Sequence, residues 1–130
     1  IKPVDVALMD QAVRPLVGAH DFKWFGAPTQ PDGPTIRRVD RANWSAQGDL
    51  IVLDIQANAF LHHMIRRIVR LSVMIGNGTW PLARVKAFLK GEEPQMVQGL
   101  APPEGLFLTD VRYPRREKQE NVKDMRACAS

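Results

Sequence analysis

The sequence predicts an α+β domain, an antiparallel or mixed sheet with helices packed on one face. Two observations predict it. Apolar residues recur at helical spacing in three stretches, and extended runs bounded by turn signals lie between and after them. The resulting order, α-β-β-α-α-β, lacks the strict alternation of a parallel α/β sheet. At 130 residues the chain suits one domain and can bury a core without disulfides or metals to staple it.

Each element has its own signal. Val6, Met9, Val13 and Val17 recur at helical spacing after Pro3, and Gly18 is a stop, so residues 4–17 are read as an amphipathic helix. Residues 18–34 are read as a loop, punctuated by Gly18, Gly26, Gly33, Pro28, Pro31 and Pro34. Residues 35–46 and 49–58 read as two strands around a Gln47-Gly48-Asp49 turn. The apolar run Ile51, Val52, Leu53, Ile55 predicts that the second is central in its sheet. Residues 60–76 give the strongest helix, with Leu61, Met64, Ile65, Ile68, Leu71, Ser72 and Ile75 as its stripe. Pro81 opens another, with Leu82, Val85, Phe88 and Leu89 inward. Residues 92–105 are a connection, and residues 106–113 a last strand. Residues 115–130 are polar and aperiodic, so the domain is expected over 1–114 with a disordered tail behind it.

Composition narrows the class of protein. A lone cysteine, Cys128, cannot build a disulfide framework, which fits a reducing, cytoplasmic setting. No apolar run approaches the ~20 residues that span a bilayer, so no membrane partner is expected. The sequence opens at Ile1 without a secretory signal pattern, and a longer parent chain is expected. The net charge is +4, and twelve of the eighteen basic residues are arginine. Arginine forks suit phosphate, but a modest excess of charge fits a solvated surface as well.

Chemistry concentrates in two segments. In Asn58-Ala59-Phe60-Leu61-His62-His63-Met64-Ile65-Arg66-Arg67-Ile68-Val69-Arg70, a helix would align His62, Arg66 and Arg70 in one row, with His63, Arg67 and Arg70 beside it. Like charges at this spacing repel, and no carboxylate stands nearby in sequence. The face either meets an anion, phosphate or carboxylate, or is solvated. A metal at His62-His63 is not expected, since no third ligand stands at suitable spacing. In His20-Asp21-Phe22-Lys23-Trp24-Phe25, Phe22 and Phe25 read as core anchors, while for Lys23 and Trp24 both packing and nucleic-acid contact stay open. Strand alternation would put Arg37 and Arg41 on one face and Arg38 on the other. No self-sufficient catalytic constellation can be assembled from these residues.

Four segments carry a resemblance. They are His20-Asp21-Phe22 to Phe25, Pro34-Thr35-Ile36-Arg37, Ala57 to Arg66, and Ala101-Pro102-Pro103-Glu104-Gly105-Leu106-Phe107-Leu108 through Tyr113-Pro114. In order and approximate spacing they resemble the C-terminal half of TruA-type tRNA pseudouridine synthases, over roughly residues 5–114. The resemblance implies an isomerase that converts uridine to pseudouridine in the tRNA anticodon arm, at positions 38–40. It implies no metal or organic cofactor, and a homodimer. The family's catalytic aspartate stands in an Arg-Thr-Asp motif of the N-terminal half; no Arg-Thr-Asp occurs here. By the same resemblance Arg66 pairs with that aspartate, Leu106 lines the uracil pocket and Arg37 lies near the RNA path. Lys23, His62, His63, Arg67 and Arg70 are the further candidates for RNA contact. Arg67 and Arg70 depart from the family pattern, which often has Asn and Gly there. Alone, the chain is expected to bind RNA weakly and catalyse nothing, with a missing N-terminal domain supplying the aspartate. The alternative is a non-catalytic module, for RNA binding or dimerisation, that reuses the fold.

Overall fold

Asp5 starts the first helix. In the computed structural model, which describes residues 4–28, 30–48, 50–97, 106–112 and 123–129, its Oδ1 accepts from the N–H groups of Ala7 and Leu8 at 3.0 and 3.3 Å. This caps α1, Val6–Val13, which buries Met9, Ala12 and Val13. The helix is shorter than its apolar spacing predicts. Pro15 has no N–H to return to Gln11, so the chain tightens into a 3-10 turn over Arg14–Leu16. The tightening buries Leu16 in place of the expected Val17, which is exposed.

Five strands form one antiparallel sheet: β1 Gly18–Asp21, β2 Ile36–Gln47, β3 Leu50–Ala57, β4 Leu106–Arg112 and β5 Lys123–Ala129. Their order is β1-β2-β3-β5-β4. Central placement of β3 matches its apolar run. Two strands differ from expectation. β1 lies inside the stretch read as loop, because glycine and proline punctuation there hides four residues that pair with β2 from Gly18↔Val39 to Asp21↔Ile36. β5 lies inside the stretch read as tail and supplies β3 with its second neighbour, from Ile51↔Ala129 to Ala57↔Lys123. A central strand needs hydrogen-bond partners on both edges, a demand that the composition of residues 123–129 does not announce. Asp49 of the turn, residues 98–105 of the connection and Tyr113-Pro114 lie outside the described residues.

The sheet's helix-facing side is set by a bulge. Val39 pairs with Ala57 and Arg41 with Gln56, so Asp40 is the extra residue. As a result Val39, Ala42 and Trp44 all reach the core, together with Leu53, Ile55 and Ala57 of β3. The bulge also corrects the expected arginine alternation. Arg37 shares a face with Val39, while Arg38 and Arg41 stand on the opposite, polar face.

Against the core side lies α2, Met64–Gly76, with Met64, Ile68, Leu71, Ser72 and Ile75 buried. The Trp44 indole N–H donates to Ser72 Oγ at 3.0 Å, and that hydroxyl donates to the Ile68 carbonyl at 2.8 Å, so the buried polar pair is satisfied. At its far end α2 crosses α1 closely: a Cβ on Gly76 would stand 2.6 Å from Met9 Cγ. The third helix, α3, spans Arg84–Leu89 and buries Val85 and Phe88. Leu82, expected inward, precedes this helix and is exposed.

Candidate nucleic-acid interface

α2 does not begin where its apolar stripe predicts. Residues 60–63 leave β3 in a turn, His62 forms a β-bridge with Ala27, and His63 takes the left-handed conformation at φ 64° as the cap of α2. Histidine tolerates this region better than most residues, at some cost in strain. The single helical row His62, Arg66, Arg70 is therefore corrected: Arg66 and Arg70 keep it, and His62 stands outside the helix.

Two features hold this turn. Asn58 continues β3 by other means, its Oδ1 accepting from the Arg38 N–H at 2.8 Å and its N–H donating to the Arg38 carbonyl at 3.0 Å. Gly26 lets the aromatic segment approach; a Cβ there would lie 2.6 Å from the His62 carbonyl oxygen and 2.8 Å from Leu61 Cβ. The His62 N–H donates to the Ala27 carbonyl at 2.9 Å. The two sequence segments singled out for chemistry are thus one backbone unit. Neither Asn58 nor Gly26 was picked out as a determinant of this turn. A glycine directly after Phe25, an aromatic read as a core anchor, was the available signal for Gly26.

The electrostatics at the head of α2 are unusual. Its first turn holds Arg66 and Arg67 and no acidic residue, at the end where the helix dipole is itself positive. His62 is exposed, with its ring centroid 3.8 Å from that of His63. Partial burial, then the positive charge of His62, Arg66 and Arg67, holds the His63 pKa below the ordinary 6.5. Arg66 is half-buried. Arg67 donates one hydrogen bond, to the Val97 carbonyl at 3.3 Å. The buried Nε atoms of Arg67 and Arg70 have no acceptor among the described residues. An anion at this place would relieve repulsion, dipole and unsatisfied donors together.

The other candidates are dispersed. Arg37 turns its guanidinium onto backbone, donating to the Pro34 and Ile36 carbonyls at 3.1 and 2.9 Å, with its Nε buried and without an acceptor among the described residues. Phe22 and Phe25 are fully buried, edge to face at 5.6 Å, as core anchors. Trp24 serves the scaffold, its indole N–H donating to the Glu93 carbonyl at 3.0 Å. Lys23 is exposed, its Nζ 5.3 Å from the Trp24 ring centroid. Leu106 opens β4 opposite Ala129, at the far side of the sheet from β1. Among the described residues no group of three histidine, cysteine or acidic side chains could hold a metal, and no helix is long and apolar enough to cross a membrane.

An antiparallel sheet with helices packed against it, and arginines on the helix that follows a central strand, is consistent with a pseudouridine-synthase half-domain. Known proteins agree. The family model for tRNA pseudouridine synthase matches residues 12–114. The chain is 39% identical to tRNA pseudouridine synthase A of Gluconobacter oxydans over 113 residues, which are 87% of this chain and 41% of that protein. It is 40% identical to the protein of the same name from Shewanella denitrificans over 111 residues, 85% of this chain and 42% of that one. It is 36% identical to that of Legionella pneumophila strain Corby over 114 residues, 88% and 44% of the two chains. The chain therefore belongs to the tRNA pseudouridine synthase family. It spans less than half the length of these curated relatives.

Proposed function

We propose that this chain is the C-terminal half of a tRNA pseudouridine synthase, acting on uridines of the anticodon arm at positions 38–40. It contributes one wall of the active-site cleft and part of the RNA surface, while the catalytic aspartate comes from an N-terminal half. The observation that carries this reading is the head of α2. Two arginines stand at the positive end of a helix with no acid in its first turn, in a chain of this family. A carboxylate brought there from another domain would be held ionised and in one rotamer by Arg66, as an aspartate acting on uridine requires. Leu106 offers the uracil an apolar contact. Lys23, Arg37, His62, His63, Arg67 and Arg70 face the RNA backbone. The whole enzyme is a cytoplasmic homodimer that needs no metal or organic cofactor.

The test is Arg66→Ala in a protein joining this chain to its N-terminal half. Pseudouridine formation in a tRNA transcript should fall by roughly 100-fold, the scale of loss when a reacting group loses its positioning contact. Near-normal turnover by a folded variant would remove Arg66 from the role. The 130-residue chain alone should form no pseudouridine; turnover by it would overturn the half-site reading.

A further inference from the structure

A second basic cluster lies away from the head of α2. A pocket of about 480 Å³ opens between the 3-10 turn, β1 and α3, lined by Pro15, His20, Lys86, Leu89 and Lys90. Lys86 and Lys90 are exposed, four residues apart on one side of α3, and among the described residues neither side chain makes an ion pair or hydrogen bond. His20 faces them with a fixed ring: its Nε2 is 3.1 Å from the Val17 carbonyl oxygen, so Nε2–H donates there and Nδ1 is left for another partner. A third lysine joins at the rim. Gly91, at φ +72°, lies so close to Lys23 that a Cβ on it would stand 3.8 Å from Lys23 Nζ.

The nearby carboxylates are mostly committed elsewhere. Asp21 accepts from Thr35 Oγ1 at 2.6 Å and from the Lys23 N–H at 3.1 Å. Glu93 holds Arg84 through two bonds of 3.1 Å. Glu92 is exposed, beside Gly91 in the chain. The cluster is also connected to the arginines. Val97 donates its N–H to the Trp24 carbonyl at 2.9 Å and accepts from Arg67 through its own carbonyl. The buried backbone of Val97 thus ties Arg67 to Trp24, whose neighbour Lys23 stands at the rim of the pocket.

We propose that this pocket is a subsite for an RNA backbone phosphate, held by Lys86, Lys90 and His20 with Lys23 at its rim, while Pro15 and Leu89 contact the attached ribose or base. The proposal rests on the reading of the chain as a tRNA-binding half-enzyme, and extends the RNA path beyond the head of α2. Lysines near a helix C-terminus also answer its dipole, which alone would give them no RNA partner.

The experiment follows the affinity of the 130-residue chain for a labelled tRNA transcript, by anisotropy across salt concentrations, together with backbone amide shifts. Lys86→Gln with Lys90→Gln should weaken binding about tenfold near 100 mM salt and lower the salt slope by about 2. Lys86→Arg with Lys90→Arg should retain both. The transcript should shift the amides of His20, Lys86, Leu89 and Lys90. An unchanged slope, with shifts confined to α2, would overturn the subsite and leave the proposed function standing. If the wild-type chain binds no tRNA while inorganic phosphate shifts the pocket amides, the pocket takes a free anion, and both the subsite and the RNA-binding reading fall.

Discussion

Arg84 and Arg70 are the same side chain on neighbouring helices, and their surroundings could hardly differ more. Arg84 stands 4.4 Å from the Trp80 ring centroid and 5.2 Å from that of Phe88, and forks onto Glu93 through two 3.1 Å bonds. Ring faces pack on this guanidinium, and a bidentate carboxylate supplies its counter-charge and takes two of its N–H donors. Arg70 has a buried Nε, and among the described residues its side chain finds no acceptor and no ion-pair partner. A guanidinium used for stability comes with its counter-charge built in. One that awaits an outside anion, the role proposed for Arg70, would leave donors open and accept the cost while the anion is absent.

That contrast can be broken, and the largest effect is expected where the arginine helix is positioned. Gly26→Ala pushes a Cβ into the His62 carbonyl and should cost about 3 kcal/mol in urea unfolding, the upper scale for overpacking. Unchanged stability would mean that the bridge at Ala27 does not constrain the start of α2. Arg84→Met should cost about 2 kcal/mol, because it strands the Glu93 carboxylate and removes packing on Trp80; partial exposure of the pair keeps the figure below that of a fully buried one. Arg70→Met should change stability by no more than about 0.5 kcal/mol and should flatten the salt dependence of tRNA binding by about one unit of slope. Equal stability losses in the two methionine variants would abolish the distinction between them.

The smallest effect concerns His63. Its pKa is depressed in the folded chain, so the unfolded state takes up a proton first as pH falls below about 6.5. His63 thus favours folding above that pH, and its contribution is lost as the pH drops toward the folded pKa. Phosphate placed beside it would reverse the sign. An NMR titration should put His63 below 6.5 in the free chain and higher with tRNA bound. A value that tRNA leaves unmoved would separate His63 from the RNA surface.

Much of this was legible in the sequence. Period and turn chemistry located β2, β3 and the body of α2, because each buries a continuous apolar face and so writes its geometry into residue choice. The basic residues at the head of α2 were equally visible. What escaped were features whose cause lies elsewhere in the chain. β1 exists because β2 offers it an edge, and β5 because β3 needs a second neighbour. The true start of α2 is dictated by a bridge to Ala27, 35 residues upstream of His62. Pro15 interrupts an apolar spacing that otherwise runs on to Val17, and the interruption wins. The motif likeness found the family, while the role of Gly26 emerged only from the 2.6 Å that a side chain would have to share with the His62 carbonyl.

The bulge at Asp40 acts as a switch of handed addresses for the arginines of β2. Up to Val39 the odd-numbered residues look toward the helices; from Ala42 onward the even-numbered ones do. One residue of chain length thus decides which guanidiniums meet protein and which meet the open face. Deleting Asp40 would keep every arginine in the sequence and remove a single negative charge. Yet a strand held in register at its Trp44 end would then present Arg37 where Arg38 now stands and turn Val39 toward water. For this family member, insertions and deletions in β2 should matter more than substitutions there, since no side-chain change can move a whole row of residues to the other side of a sheet.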